Sequence, residues 1–310
     1  MGAQDSEARH PARTRERPVD EVSGTLRLGG REFPAGSPVV MAIVNRTPDS
    51  FYDKGATFAP DKALSAVDRA VAEGAEIIDV GGVKAGPGDE VTAAQEIERT
   101  VGFVARVKEA YPQVVVSIDT WRAEVAVEAV AAGADLINDT WSGADPALAE
   151  VAARTGAGLV CSHAGGLTPR TRLHRAAFDD VVADVVARVT ELAERAERLG
   201  VRPDGILIDP AHDFGKNTRH SLEVTRRLDE LVATGRPVLV ALSNKDFVGE
   251  TLDLPVDRRL PGTLGATAIS AWHGARVFRA HQVAETKQVL DMVAAIRGDR
   301  QPAVSRRGLA

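Results

Sequence analysis

A single-domain (β/α)₈ barrel, the α/β architecture called a TIM barrel, is the fold this sequence predicts, and three observations carry that reading. Short apolar runs alternate with longer amphipathic ones through most of the 310 residues. The short runs are apolar throughout instead of alternating, as parallel strands covered on both faces must be. Eight such units occupy about 260 residues, the usual span of this barrel. A doubly wound open sheet generally has fewer strands per domain, so the barrel is preferred.

The first strand is expected at Val39 to Val44, ahead of a helix around Pro60 to Glu73. Ile77 to Val80 then leads into a helix around Ala93 to Ala110, and Val114 to Ile118 into one around Arg122 to Ala132. Leu136 to Ile137 precedes a helix around Pro146 to Arg154, and Gly158 to Cys161 a long one around Asp180 to Leu199. Ile206 to Ile208 is paired with Ser221 to Ala233, and Val238 to Leu242 with Leu264 to Trp272. Val277 to Phe278 and a helix around Val283 to Ile296 complete the set. Gly74, Gly133, Gly156 and Gly274 each stand just before a strand, where a left-handed glycine ends a helix.

The barrel is placed at residues 36–298. Residues 1–20, rich in Arg, Pro and Glu, are expected to be a disordered tail, and 299–310 a flexible one. No apolar run reaches the length of a membrane span and the N-terminus lacks the apolar segment of a signal peptide. Cys161 is the only cysteine, so no internal disulfide forms, and a cytoplasmic location is expected. A net charge of −6 argues against nucleic acid as a partner. No G-x-G-x-x-G follows a strand, and Phe214-Gly215-Lys216-Asn217 lacks the earlier glycine of a P-loop.

Catalytic groups of such barrels lie where the strands end. Here Asn45, Asp79, Asp119, Asn138 with Asp139, His163, Asp209, Lys245, and Arg279 with His281 mark the eight ends in turn. Any one Asp or Asn is as well explained by helix capping, but capping does not call for Lys, Arg and two His. Asp119, Asn138, Asp209 and Lys245 mix acceptors and donors in a way that suits a flat, nitrogen-rich heterocycle. Arg279 and His281 suit a phosphate or pyrophosphate, and Asn45 offers an oxygen to Mg²⁺ shared with such a ligand. Trp121 and Trp141 wall the pocket or anchor loops, His212 and Lys216 face the pocket or merely solvent, and Cys161 reads as a buried strand residue without a redox role.

Ile43-Val44-Asn45-Arg46-Thr47-Pro48-Asp49-Ser50-Phe51 and the Ile-Ile-Asp-Val-Gly-Gly of residues 77–82 resemble two signatures of the dihydropteroate synthase family. Ser117-Ile118-Asp119-Thr120, Ile137-Asn138-Asp139, Asp209-Pro210, Phe214-Gly215-Lys216, Ser243-Asn244-Lys245-Asp246-Phe247 and Arg279-Ala280-His281 extend the likeness in order from Val39 to Gly298. The resemblance implies a barrel, usually a homodimer, that joins p-aminobenzoate or a related amine to 6-hydroxymethyl-dihydropterin pyrophosphate and releases pyrophosphate. It implies pterin binding by Asp119, Asn138, Asp209 and Lys245, and pyrophosphate and Mg²⁺ binding by Asn45, Arg279 and His281. Lys245, Arg279 and His281 would carry the catalysis.

The departures are concentrated. The family's Gly-Gly-Glu-Ser-Thr-Arg-Pro-Gly reads Gly81-Gly82-Val83-Lys84-Ala85-Gly86-Pro87-Gly88 here, so Ala85 and Gly86 replace Thr and Arg. Asn244 stands where the family has Arg, Gln282 where it has Asp, and Ser162 where an apolar residue lies against the pterin. Two guanidinium groups are gone, and one preorganised charge of this kind is worth about 3 kcal/mol, roughly a hundredfold in rate. A pterin-binding paralogue with impaired transfer is therefore the alternative to a working synthase. A pterin-dependent methyltransferase ranks below both.

Overall fold

The structure, a computed structural model, describes residues 24–47, 60–171 and 177–307. The proposed N-terminal tail and the Pro48-Asp49-Ser50-Phe51 part of the first signature lie outside them. A two-stranded antiparallel hairpin, β1 (Leu26–Leu28) and β2 (Arg31–Phe33), comes first. The barrel strands follow as β3 (Val39–Asn45), β4 (Ile77–Gly81), β5 (Val115–Asp119), β6 (Leu136–Asp139), β7 (Gly158–Ser162), β8 (Ile206–Asp209), β9 (Leu239–Ala241) and β10 (Val277–Ala280). All neighbours among them run parallel, in the order β8-β7-β6-β5-β4-β3-β10-β9. An isolated parallel bridge between Ile208 and Val238, with the Ile208 N–H donating to the Pro237 carbonyl at 3.0 Å, links β8 back to β9 and closes the ring.

The helices are α1 (Pro60–Ala72), α2 (Ala93–Ala110), α3 (Ala123–Ala131), α4 (Ala147–Thr155), α5 (Val181–Leu199), α6 (Thr218–Arg226), α7 (Leu228–Val232), α8 (Asp246–Leu252), α9 (Leu260–His273) and α10 (Val283–Arg297). The expected helix at Ser221 to Ala233 is thus two pieces. Arg227 leaves helical geometry between them, and its guanidinium ties Asp180, Glu223 and Glu230 together. The short α8 was not anticipated at all. Gly156 and Gly274 end α4 and α9 at φ of 76° and 102°, as their positions predict.

The strands divide the core in two. Side chains of one parity pack outward against the helices; those of the other parity fill the barrel. At its N-terminal end the interior is apolar, with Val39, Met41, Ile77, Val115, Leu136 and Val277 meeting Leu26, Leu28 and Phe33 of the hairpin. A Cβ on Gly158 would lie 2.4 Å from Leu28 and 2.8 Å from the Gly205 carbonyl, so glycine is what lets the hairpin seat. The folded body therefore begins before residue 36, because the hairpin supplies the plug of the barrel. Beyond α10, residues 299–307 form no helix or strand, though Arg300 pairs with Asp291.

Candidate active site

The strand parity that fills the base with Ile77, Val115, Leu136, Val160, Leu207 and Val277 brings the next inward residue of each strand into one polar layer. That layer is Asp79, Ser117, Asn138, Ser162, Asp209 and Arg279. Asp139 and His163 have the opposite parity. Asp139 accepts from the Trp141 and Gly143 N–H groups at 2.9 and 2.6 Å, which is the loop-capping role.

Arg279 is gripped by two carboxylates. Its Nε donates to Asp79 Oδ2 at 2.6 Å and its Nη2 to Asp119 Oδ2 at 2.8 Å. Asp79, fully buried, also accepts from Ser117 Oγ at 2.6 Å and from Asn138 Nδ2 at 3.3 and 3.4 Å. Asp119 takes a further bond from Thr140 Oγ1 at 3.0 Å. Burial pushes the Asp119 carboxyl above its usual range, opposed by Arg279 and reinforced by Asp79. Burial is likewise the largest influence on Arg279, but the two carboxylates outweigh it and hold the guanidinium charged. Asp79 is thus the hub of the layer; sequence reasoning placed it at a strand end without a role. The signal available was a lone Asp inside an apolar strand.

A second group surrounds Lys245. Its ammonium bonds the His212 carbonyl and lies 4.9 Å from the Phe214 ring centroid. Burial lowers its pKa, opposed by Asp213 and Asp209. Asp209 Oδ1 accepts from the Ala211 N–H at 2.7 Å. Lys216, also buried, donates to the carbonyls of His163, Ala211 and Phe214 at 3.1, 3.3 and 3.0 Å and to His163 Nδ1 at 2.7 Å. His163 Nε2 in turn meets Asp184 Oδ1 at 2.7 Å. His212 is buried against Phe247, with ring centroids 5.5 Å apart.

The third group is neutral. His281 Nδ1 lies 3.0 Å from Ser243 Oγ, which also approaches Gln282 Oε1 at 3.3 Å. Asn244, buried and left-handed at φ 57°, donates through Nδ2 to Gln282 Oε1 at 3.2 Å. The two positions at which the family's Arg and Asp are replaced are therefore in contact. Burial and the neighbouring Arg279 push His281 down to about 3, and burial with Lys216 pushes His163 down to about 4. Neither is a cation at neutral pH, because both rings are too poorly solvated to hold a proton.

These groups open onto a cavity of about 840 Å³ whose wall includes Asn45, Asp119, Lys245, Arg279 and His281. Lys84, Ala85, Gly86 and Pro87 form one side of it, and Trp141, Phe214 and Lys216 another. Asn138 and Asp209 are buried at 3% and 5% exposure and do not line it. Trp121 does not reach it either and stacks with the Arg122 guanidinium at 4.4 Å. Arg170 fixes the variant loop from across the mouth, donating to the carbonyls of Gly86 at 3.4 Å and Asp89 at 2.7 Å. Cys161 faces the outer core, where burial raises its thiol to about 12.

Among the described residues no three His, Cys, Asp or Glu side chains are grouped to hold a metal. Asn45 Oδ1 and Asp119 Oδ2 both approach Gly81, at 3.5 and 3.8 Å from the position of a Cβ there. Asp119 Oδ2 is already held by Arg279 Nη2 at 2.8 Å, so these two oxygens are not by themselves a cation site.

A family model described as pterin binding enzyme matches residues 41–281. "Inactive dihydropteroate synthase 2" of Mycobacterium leprae (strain TN) is 58% identical over 287 residues, covering 91% of this chain and 99% of that one. "Dihydropteroate synthase" of Haemophilus influenzae is 36% identical over 254 residues, covering 82% and 92%. The solved dihydropteroate synthase of Xanthomonas albilineans with 4-aminobenzoic acid superposes with a TM-score of 0.80 at 34% identity, over 91% of this chain and 100% of that one.

Proposed function

Since the chain belongs to the pterin-binding enzymes of the dihydropteroate synthase family, we propose that it binds a dihydropterin pyrophosphate in its barrel and transfers the pterin to p-aminobenzoate poorly. The observation that carries this is the Asn244–Gln282 contact at 3.2 Å. Two positions charged in the family have become neutral together, while Asp79, Asp119, Asn138, Asp209, Lys245 and Arg279 are kept.

In the family reaction the C–O bond to the pyrophosphate breaks with its electron pair on the leaving oxygen. The amine nitrogen bonds the methylene and gives up a proton. Nothing covalent is asked of the protein; it must orient the amine and stabilise charge on the departing group. Asp119 and Lys245 would hold the heterocycle from the cavity wall, with Asp209 and Asn138 in the buried layer beneath, and Arg279 and His281 would hold the pyrophosphate. His281 enters this task uncharged. Mg²⁺ would supply charge to the pyrophosphate, with Asn45 as its protein oxygen. With Ala85, Gly86 and Asn244 in place of Thr, Arg and Arg, the second substrate and the leaving group are underprovided.

The test is calorimetry and product analysis on purified protein with dihydropterin pyrophosphate, Mg²⁺ and p-aminobenzoate. Tight pterin binding with product formed about a hundredfold more slowly than by an ordinary synthase is the expected outcome. Turnover at the ordinary rate would sink the impaired-transfer reading, and absence of pterin binding would sink the whole assignment.

A homodimer is supported by Ile269 and Trp272 on α9 and Met292 and Ile296 on α10, large apolar side chains between 50% and 61% exposed on adjoining helices. Trp272→Glu should shift sedimentation from dimer to monomer. No described helix is long and apolar enough to cross a membrane, and the single buried cysteine agrees with a cytoplasmic protein.

A further inference from the structure

The loop between β4 and α2, residues 82–92, carries the Ala85 and Gly86 replacements, and three guanidiniums hold its backbone carbonyls. At its ends Arg99 Nη1 donates to the Gly82 carbonyl at 3.0 Å and Arg122 Nη2 to that of Val91 at 2.7 Å. Those two arginines belong to neighbouring helices, Arg99 on α2 and Arg122 at the N-cap of α3. Arg170 is different. It comes from the loop after β7, and its Nε and Nη1 reach the carbonyls of Gly86 and Asp89 at 3.4 and 2.7 Å. Leu167 and Thr171, on either side of it in sequence, line the barrel cavity, and so do Lys84, Ala85, Gly86 and Pro87. The Arg170 side chain thus ties two walls of the cavity together at its mouth.

Two further observations bear on this bridge. Arg170 has a left-handed backbone at φ 62°, which glycine adopts freely and arginine does not. A glycine here would keep the turn and lose only the guanidinium. Crowding does not explain Gly86 either, since the nearest atom to a Cβ there is Lys84 Cε at 3.8 Å, an ordinary contact. The position that lost the family's arginine has room for a side chain, yet it receives a guanidinium on its carbonyl from another loop. We propose that Arg170 is a positioning residue that clasps the variant loop over the barrel cavity in the unliganded protein, making the loop a gate for ligand entry and exit. A gate closed in free and occupied protein alike slows entry and release by one factor and leaves affinity unchanged. That the occupant is a dihydropterin pyrophosphate rests on the function proposed above; the clasp itself does not.

Arg170→Ala and Arg170→Lys are compared with wild type in two measurements. The first, without ligand, is endoproteinase Lys-C cleavage after Lys84, located by fragment mass. Cleavage there should speed up about tenfold in Arg170→Ala, as loss of charge-assisted hydrogen bonds implies. Cleavage after Lys216, which is buried, should not change. Arg170→Lys keeps the charge but has no fork to span two carbonyls, so it should resemble the alanine variant. Unchanged cleavage after Lys84, full protection by lysine, or a parallel rise at Lys216 overturns the clasp. The second measurement is stopped-flow binding of dihydropterin pyrophosphate with Mg²⁺. In Arg170→Ala association and release should accelerate together, with Kd almost unchanged. Faster release at an unchanged association rate would make Arg170 a direct ligand contact and overturn the gate. If wild type does not bind dihydropterin pyrophosphate, the functional reading fails, and cleavage after Lys84 alone decides the clasp.

Discussion

The inner polar layer and the rim around Asn244 lie on the same barrel, and they have treated charge in opposite ways. In the layer, Arg279 sits between Asp79 and Asp119 at 2.6 and 2.8 Å. In the rim, Asn244 and Gln282 share a neutral hydrogen bond where the family has an arginine and an aspartate. The difference follows from connectivity. Removing Arg279 from the layer strands two carboxylates, whereas a rim pair can be exchanged for two amides provided both change.

The harshest test of this contrast is Arg279→Met. It would leave Asp79, which is fully buried, and Asp119 facing one another without a counter-charge. Breaking a buried pair in this way costs about 3–5 kcal/mol, so urea unfolding should show a loss of that order together with loss of pyrophosphate binding. A variant of wild-type stability would mean that the layer is not a charge network.

The rim should behave as a coupled pair. Asn244→Arg alone places a guanidinium at a position 1% exposed, and Gln282→Asp alone adds a carboxylate beside neutral partners; each should destabilise by about 1–3 kcal/mol. Together they should recover about 1–2 kcal/mol of that loss and tighten pyrophosphate binding. Additive effects in the double-mutant cycle would show that the two replacements are unrelated, and the contrast with the layer would lose its basis.

Histidines respond to the same burial. His163 and His281 titrate near 4 and 3, depressed chiefly by burial. An unfolded chain binds protons on these rings below its ordinary imidazole pKa of about 6.5, so stability present above that pH is lost as pH falls toward the folded values. Unfolding midpoints measured from pH 7.5 to 4.5 should fall, and His281→Gln should flatten the decline. An unchanged slope would place the acid sensitivity elsewhere.

Much of this was legible in residue types, and what was not has a physical cause. Strand positions followed from apolar runs, and the functional set from the polar residues that end them. Parity was the missing step: Asn138 and Asp139 are neighbours in sequence, yet one enters the barrel and the other caps a loop. The same alternation separates Ser162 from His163. Asp79 was read as a strand end because its importance lies in three partners, on β5, β6 and β10, which no local pattern reveals. The hairpin of Leu26–Phe33 escaped because strands of three residues leave almost no periodicity, and its value lies in plugging the barrel.

The smallest effect belongs to Lys84, the one cation that the variant loop has acquired. It lines the cavity but stays partly exposed, near Gly86, with its Cε 3.8 Å from the position a Cβ would take there. An ammonium on a flexible stem in high dielectric contributes about 0.3–1 kcal/mol to an anion at this range. Lys84→Ala should therefore weaken inorganic pyrophosphate binding only about two- to fivefold at low salt, and the deficit should vanish near 1 M salt, where the screening length is about 3 Å. A hundredfold, salt-insensitive loss would instead make Lys84 a true substitute for the missing guanidinium. The rim would then have relocated its charge instead of surrendering it.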